Sequence, residues 1–166
     1  LYASSIFIPY VESLRLNNLT MASPDMGGSK RAYAYSKFLK SDVVICYKQR
    51  AKSNIVTHME VIGDVKGKNI ILVDDMVDTA GTLTKAADLM IERGASSVRA
   101  ICTHAILSGN AIEKIENSNL LELIVTDSIP SNQSSPKIRI LSCAPLFAEV
   151  TKNVHNNLSI SSNFIT

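Results

Sequence analysis

Tryptophan is absent, and the aromatic residues make up only 5% of the chain, too few for the stacked platforms that grip bases or sugar rings. Charge of one sign is equally scarce. Seventeen Lys and Arg stand against fifteen Asp and Glu, a net charge of +2, which excludes a dedicated nucleic-acid binder working by phosphate neutralisation. No apolar run approaches the roughly 18 residues of a membrane helix. Cys46, Cys102 and Cys143 are too few and too scattered for a disulfide framework. His58, His104 and His155 make no local zinc spacing. Each cysteine lies in an apolar, strand-like run, so all three read as small core residues of a cytoplasmic protein in a reducing compartment. There is no initiator Met before Leu1-Tyr2-Ala3 and no signal-peptide pattern.

What is present is enough for a core. Hydrophobic residues make up 46% and charged residues 19% of 166 residues, which fits one compact domain over 1–166. Ala3, Ile6, Phe7, Tyr10, Val11 and Leu14 form a helical stripe, with Pro9 expected to kink or restart the helix. Short apolar runs follow at Leu19–Ala22, Val43–Tyr47, Ile70–Val73, Val98–Cys102, Leu121–Val125 and Ile138–Leu141. Between them, Leu83, Ala86, Ala87, Met90 and Ile91 mark a helix capped by Gly94, and Leu146, Phe147, Val150 and Val154 mark another. Strands alternating with helices predict an α/β domain, a mostly parallel sheet flanked by helices on both faces. Residues 131–136 read as a polar loop and Asn156 to Asn163 as a mobile polar tail.

In such a sheet, ligands bind beyond the carboxyl ends of the strands. The segment Val73-Asp74-Asp75-Met76-Val77-Asp78-Thr79-Ala80-Gly81-Thr82 ends an apolar strand in two carboxylates, then turns through a third carboxylate, two Thr and a Gly into a helix. A Gly-containing turn at a helix N-terminus aims backbone N–H groups at one point, and the helix dipole adds to their attraction for an anion. Thr79 and Thr82 add hydroxyl donors. Asp74 and Asp75 repel phosphate but suit sugar hydroxyls or a divalent cation. A lone Asp-Asp would be an ordinary solvated strand end; with the phosphate cradle attached, the segment describes a site for a phosphorylated sugar.

Two further segments are weaker signals. Ser23-Pro24-Asp25-Met26-Gly27-Gly28-Ser29-Lys30-Arg31 is a second strand-to-helix turn, with Asp25 as a hard oxygen ligand, but such turns are also common structural chemistry. Tyr47-Lys48-Gln49-Arg50 places two cations on a loop at the sheet edge, where they either clamp a polyphosphate or are simply solvated. His104, on the same side, is either a ligand contact or a satisfied polar residue.

The 73–82 segment resembles the phosphoribosyl-diphosphate fingerprint of type I phosphoribosyltransferase folds. The chain as a whole resembles the C-terminal half of the ribose-phosphate diphosphokinase (phosphoribosyl pyrophosphate synthetase) family. Segments in register over nearly all residues carry this likeness, from Leu1-Tyr2-Ala3-Ser4 and Ser23–Gly28, through Gly63-Asp64-Val65-Lys66-Gly67-Lys68, Thr103-His104 and Leu107–Ala111, to Val154–Ser162. The resemblance implies an enzyme that moves the diphosphoryl group of ATP onto the C1 hydroxyl of ribose 5-phosphate with Mg²⁺. It further implies that Asp78, Thr79, Ala80, Gly81 and Thr82 cradle the 5-phosphate, that Asp74 and Asp75 hold the ribose hydroxyls, and that Asp25 is a Mg²⁺ ligand. Lys48 and Arg50 would be the catalytic cations of a mobile loop, with Gln49 where many relatives have Arg.

The family's ATP-binding residues and its metal-binding His lie in an N-terminal half that this chain lacks. The chain is therefore expected to be the C-terminal domain of a longer two-domain enzyme. Alone, it is expected to bind ribose 5-phosphate weakly and to transfer no diphosphate. Part of the ATP site would come from a neighbouring subunit of a homo-oligomer such as a hexamer. The tail would serve oligomer contacts and a regulatory site, with Asn157 in a left-handed turn where relatives have Gly. Two other activities compete: a phosphoribosyltransferase, which would need a flexible hood that no segment here supplies, and a non-catalytic regulatory homologue, against which the retained Asp74, Asp75, Asp78, Lys48 and Arg50 argue.

Overall fold

The computed structural model describes residues 1–49, 58–130 and 134–164. Seven strands form one sheet: β1 Leu19–Ser23, β2 Asp42–Gln49, β3 His58–Ile62, β4 Asn69–Val77, β5 Ser97–Ala105, β6 Glu122–Thr126 and β7 Ile138–Leu141. Their order is β3-β2-β1-β4-β5-β6-β7. Every neighbouring pair is parallel except β2 with β3. The helices are α1 Ser4–Ser13, α2 Ser29–Leu39, α3 Gly81–Glu92, α4 Ala111–Asn117 and α5 Ala144–His155.

The central strands are apolar on both faces because helices cover both. Ile71, Val73, Ile101 and Ile124 pack with Phe7, Ile8 and Val11 of α1 and with Ala32 and Tyr35 of α2. Ile70, Leu72, Ala100, Cys102, Leu123 and Val125 pack on the opposite face with Leu83, Ala86, Ala87 and Met90 of α3 and with Ile115 of α4. The chain leaves β1 through α2 toward β2, and leaves β4 through α3 toward β5 in the other direction. The gap between the carboxyl ends of β1 and β4 is thus the topological switch point, where such sheets bind ligands.

Several local expectations change. Helix α1 runs through Pro9 as one element. Pro9 is exposed, and its missing N–H leaves the Ser5 carbonyl without its helical donor. Ser4, Phe7, Ile8 and Val11 form the buried stripe, with Ile8 in the place expected of Ile6. The polar-looking β3 pairs with β2 from Gln49↔His58 to Ile45↔Ile62, which carries β2 two residues past Tyr47. Helix α3 ends as its Gly94 suggests. Gly94 has φ +92, its N–H bonds to Ile91 O, and that of Ala95 bonds to Met90 O, the paired bonds of a Schellman cap.

Cys46 and Cys102 are buried core thiols, whereas Cys143 is half-buried at the start of α5 rather than in a strand. Its N–H donates to Asp127 Oδ1, which ties the start of α5 to the end of β6. Helix α5 forms as its stripe implies but buries none of its residues. The tail is docked, not loose: Ser5 Oγ donates to Asn163 O, and the rings of Tyr2 and Phe164 meet edge to face. Asn157 takes φ +55, as its left-handed reading requires. No helix among the described residues is long and apolar enough to cross a membrane. Of the polar loop expected at 131–136, residues 131–133 lie outside the described residues.

Candidate functional site

Strand β4 does not stop at its carboxylates. It pairs with β5 through Met76↔His104 and Val77↔Ala105, so Asp74 and Asp75 belong to the strand itself. The turn after it is held by its main chain. Leu107 N donates to Val77 O, Ser108 N to Asp78 O, and Lys114 Nζ to Thr79 O. Ala80 O accepts from both Thr84 N and Thr84 Oγ1.

Ala80 is left-handed, at φ 59 and ψ 0, and is the N-cap of α3 with no side-chain capping bond. Left-handed backbone costs a non-glycine residue of order 1 kcal/mol, and such strain gathers at ligand sites. Ala80 lies just before the first amides of α3, those of Gly81, Thr82 and Leu83, which as helix-start donors have no intrahelical partner. A Cβ built on Gly81 would meet only Thr79 Oγ1, at 3.9 Å, so the space beside these donors is open. Bare amides, two hydroxyls, open room and a positive helix end make an anion cradle.

Across the switch point, the 23–28 turn supplies an acid. Ser23 Oγ donates to Asp25 O at 2.6 Å, and Gly28 N donates to Asp25 Oδ1 at 3.1 Å. Gly28 must be bare, because a Cβ there would lie 2.6 Å from Ser23 Oγ. We expect Gly28→Ala to destabilise the protein by about 1–3 kcal/mol through this overpacking, read as a lower denaturation midpoint; an unchanged midpoint would mean that the turn yields freely.

Asp25, Gly27, Lys48 and Thr82 share a cleft of about 240 Å³. Lys48 and Thr82 also line an adjoining cleft of about 220 Å³ with Thr79, Gly81 and Lys85. The structure therefore brings Asp25, Lys48, Thr79, Gly81 and Thr82 together. Lys48 sits on β2 opposite Met59 of β3 rather than on a loop, because β3 extends the strand. Ala80 is buried and contributes backbone geometry. Asp78 is exposed, and among the described residues its carboxylate carries none of the bonds that fix the turn. Arg50 lies outside the described residues.

Asp74 and Asp75 line a separate, larger cavity of about 520 Å³, with Arg31, Tyr35, Thr103 and His104 among its other walls. Arg31 Nη1 lies 3.3 Å from Asp74 Oδ1, and Arg31 Nη2 lies 2.8 Å from Asp75 Oδ2. Asp75 N also donates to Asp74 Oδ1 at 2.9 Å. Burial, reinforced by the Asp75 side chain, pushes Asp74 up to about 6. Burial pulls Asp75 upward too, but its bond with Asp74 and the Arg31 guanidinium hold it below the ordinary carboxylate range. The two acids thus titrate apart.

Nδ1 of His104 lies 2.9 Å from Ser128 Oγ, so the ring is both a satisfied polar residue and part of the cavity wall. In the sequence Arg31 is simply a basic residue closing the 23–31 segment. Its bridge to Asp74 and Asp75, more than forty positions on, comes from packing α2 on β4 and has no local sequence signal.

Comparison with known proteins follows this geometry. The family model described as phosphoribosyl synthetase-associated domain matches residues 39–165. The chain is 49% identical over 165 residues to a ribose-phosphate pyrophosphokinase of Campylobacter jejuni, covering 99% of this chain and 53% of that protein. It is 50% identical over 163 residues to one of Porphyromonas gingivalis, covering 98% and 52%. The chain thus spans about half the length of the curated relatives it matches.

Among solved structures, phosphoribosylpyrophosphate synthetase from Mycobacterium smegmatis superposes with a TM-score of 0.83 at 32% identity, over 93% of this chain and 51% of that one. A purine phosphoribosyltransferase from Pyrococcus horikoshii superposes with a TM-score of 0.53 at 16% identity, over 84% of each chain, a likeness of fold alone. The fold is that of the type I phosphoribosyltransferases.

Proposed function

Because the chain belongs to the phosphoribosyl synthetase-associated domain family, we propose that it is the sugar-phosphate-binding domain of a ribose-phosphate diphosphokinase, forming 5-phosphoribosyl 1-diphosphate from ATP and ribose 5-phosphate. The observation that carries this reading is the cradle at 79–82, whose bare helix amides and open space face Lys48 and Asp25 across the switch point. The 5-phosphate accepts hydrogen bonds from the amides of Gly81 and Thr82 and from the Thr79 and Thr82 hydroxyls. Ribose hydroxyls donate to Asp74 and Asp75.

In the transfer, the C1 hydroxyl oxygen bonds to the β-phosphorus of ATP and gives up its proton, while the bond from that phosphorus to the α,β-bridging oxygen breaks and releases AMP. Lys48, with Arg50, stabilises negative charge growing on the transferring group, a contact stronger in the transition state than in the ground state.

A Mg²⁺ ion fits Asp25. One carboxylate oxygen is fixed by Gly28 N, which leaves the other for a cation. Among the described residues no three His, Cys, Asp or Glu side chains gather as a metal cage, and Mg²⁺ ordinarily takes one or two carboxylates and completes its shell with water and phosphate oxygens. When bound, the ion supplies charge neutralisation of the polyphosphate. ATP is held mainly by a second domain and by a neighbouring copy in a homo-oligomer.

The test is the intact protein that carries this chain, given ATP, Mg²⁺ and ribose 5-phosphate, with AMP release followed. AMP formed only when the sugar phosphate is present supports the reading. Diphosphate release that depends on a nucleobase would replace it with a phosphoribosyltransferase, and no AMP would replace it with a non-catalytic homologue. The 166-residue chain alone is expected to bind ribose 5-phosphate and release no AMP, because half the contacts to the transition state and half the exclusion of water are missing; turnover by the chain alone would contradict this.

A further inference from the structure

Two carboxylates that must grip one sugar face a difficulty that the cradle does not solve. Asp74 and Asp75 are adjacent in sequence, line one cavity, and repel each other when both are ionised. A ligand gripped by both needs them turned toward one point and held there.

The structure contains one device for this. Arg31 stands in the first turn of α2, a helix anchored by buried Ala32, Tyr35 and Ser36. From that fixed base its planar fork reaches both acids at once, with Nη1 on Asp74 Oδ1 and Nη2 on Asp75 Oδ2. Gly28 lies beside the fork: a Cβ built there would stand at ordinary contact distance, 3.5 Å from Arg31 Nη1 and 3.6 Å from Val73 O. The same Gly28 donates its N–H to Asp25 Oδ1. Arg31 therefore sits between the two acidic turns of the site.

We propose that Arg31 is a positioning residue for sugar recognition: its guanidinium bridges Asp74 and Asp75 so that the pair presents its remaining oxygen lone pairs as one acceptor surface for the ribose hydroxyls. This rests on the proposed function, since it takes ribose 5-phosphate as the ligand. The fork engages one oxygen of each carboxylate. The guanidinium offsets one of the two negative charges, which lowers the repulsion a phosphorylated sugar would meet. A lysine cannot do the same, because a single ammonium is a point charge without the two-pronged geometry.

The test compares two ligands on the intact protein by calorimetry at one salt concentration. Ribose 5-phosphate uses the cradle and the acid pair; inorganic phosphate uses the cradle alone. For Arg31→Met, the dissociation constant for ribose 5-phosphate should rise at least tenfold more than that for inorganic phosphate, whose retained binding also certifies the fold. Arg31→Lys keeps the charge without the fork and should recover less than half of the loss on a logarithmic scale. Equal weakening of both ligands, or no weakening of either, would overturn the proposal, and full recovery by Lys would reduce Arg31 to a point charge and overturn it too. If the unsubstituted protein binds inorganic phosphate but shows no preference for ribose 5-phosphate, the functional reading itself falls, an outcome distinct from failure of the Arg31 variants alone.

Discussion

Replacing Lys48 by Ala is expected to lower turnover of the intact enzyme by roughly 10²–10³-fold while changing the affinity for ribose 5-phosphate by less than threefold. The asymmetry follows from placement. Lys48 lies on β2 in the wall shared by the Asp25 cleft and the cradle cleft, whereas the cradle is built from the turn before α3 and held by main-chain bonds that do not involve Lys48. Loss of a side chain that meets charge only as the diphosphoryl group moves lowers kcat and kcat/KM together and leaves ground-state binding alone. Steady-state kinetics with calorimetry on the same variant checks both halves. A large loss of sugar-phosphate affinity would place Lys48 in the cradle; unchanged turnover would make it a solvated surface cation.

Asp74→Asn is expected to make the unliganded protein more stable and a poorer binder. The folded-state pKa of Asp74 is raised to about 6 from its ordinary value of 3.8, first by burial and then by Asp75. Between those two values the folded protein holds the proton more tightly than the unfolded chain. Stability from this group is therefore fully present below about 3.8 and is lost as pH rises through about 6. At pH 7 the ionised carboxylate is a net cost, and an amide removes it. The gain should be on the order of 1–2 kcal/mol, because Asn keeps the oxygen that accepts from Asp75 N.

Binding moves the opposite way. The neutral amide is a weaker acceptor than the carboxylate, so the dissociation constant for ribose 5-phosphate should rise about tenfold or more at pH 7. Below pH 6 the unsubstituted protein should lose affinity more steeply than the variant. The second ionisation of the phosphate also falls near pH 6 but is common to both proteins, so the difference between their pH profiles isolates Asp74. Denaturant titration without ligand and calorimetry from pH 5 to 8 read the two effects. A less stable variant with unchanged affinity would contradict both.

Fold and cradle were readable because their signals are local. The apolar runs of β1, β2, β4, β5, β6 and β7 are dense enough to mark buried strands, and Gly94 announces the end of α3. The turn from Asp78 to Thr82 carries its chemistry in consecutive residues. Strand β3 was not readable: His58-Met59-Glu60-Val61-Ile62 is short and half polar, and it is a strand because β2 offers it an edge. Helix α4 was missed for a similar reason, since two buried residues in seven positions give too little period to detect.

The apolar stripe of α5 was read correctly as helix, but a stripe states only that something must cover it. In this chain Phe147 and Val154 are exposed. Pro9 illustrates the opposite case, a strong local rule set aside: α1 runs through it with Phe7, Ile8 and Val11 buried on one face. Arg31 marks the largest gap between sequence and site. Nothing near residue 31 points to residues 74 and 75, and only the packed sheet brings them into reach.

The central claim is that the amides opening α3 hold the terminal phosphate of a pentose. A crystal structure of the protein with ribose 5-phosphate tests it most directly. The account predicts phosphate oxygens about 2.7–3.2 Å from the backbone nitrogens of Gly81 and Thr82, with ring hydroxyls on Asp74 and Asp75. A phosphate bound elsewhere, or a turn that closes over its own amides and leaves the sugar in solution, would contradict it.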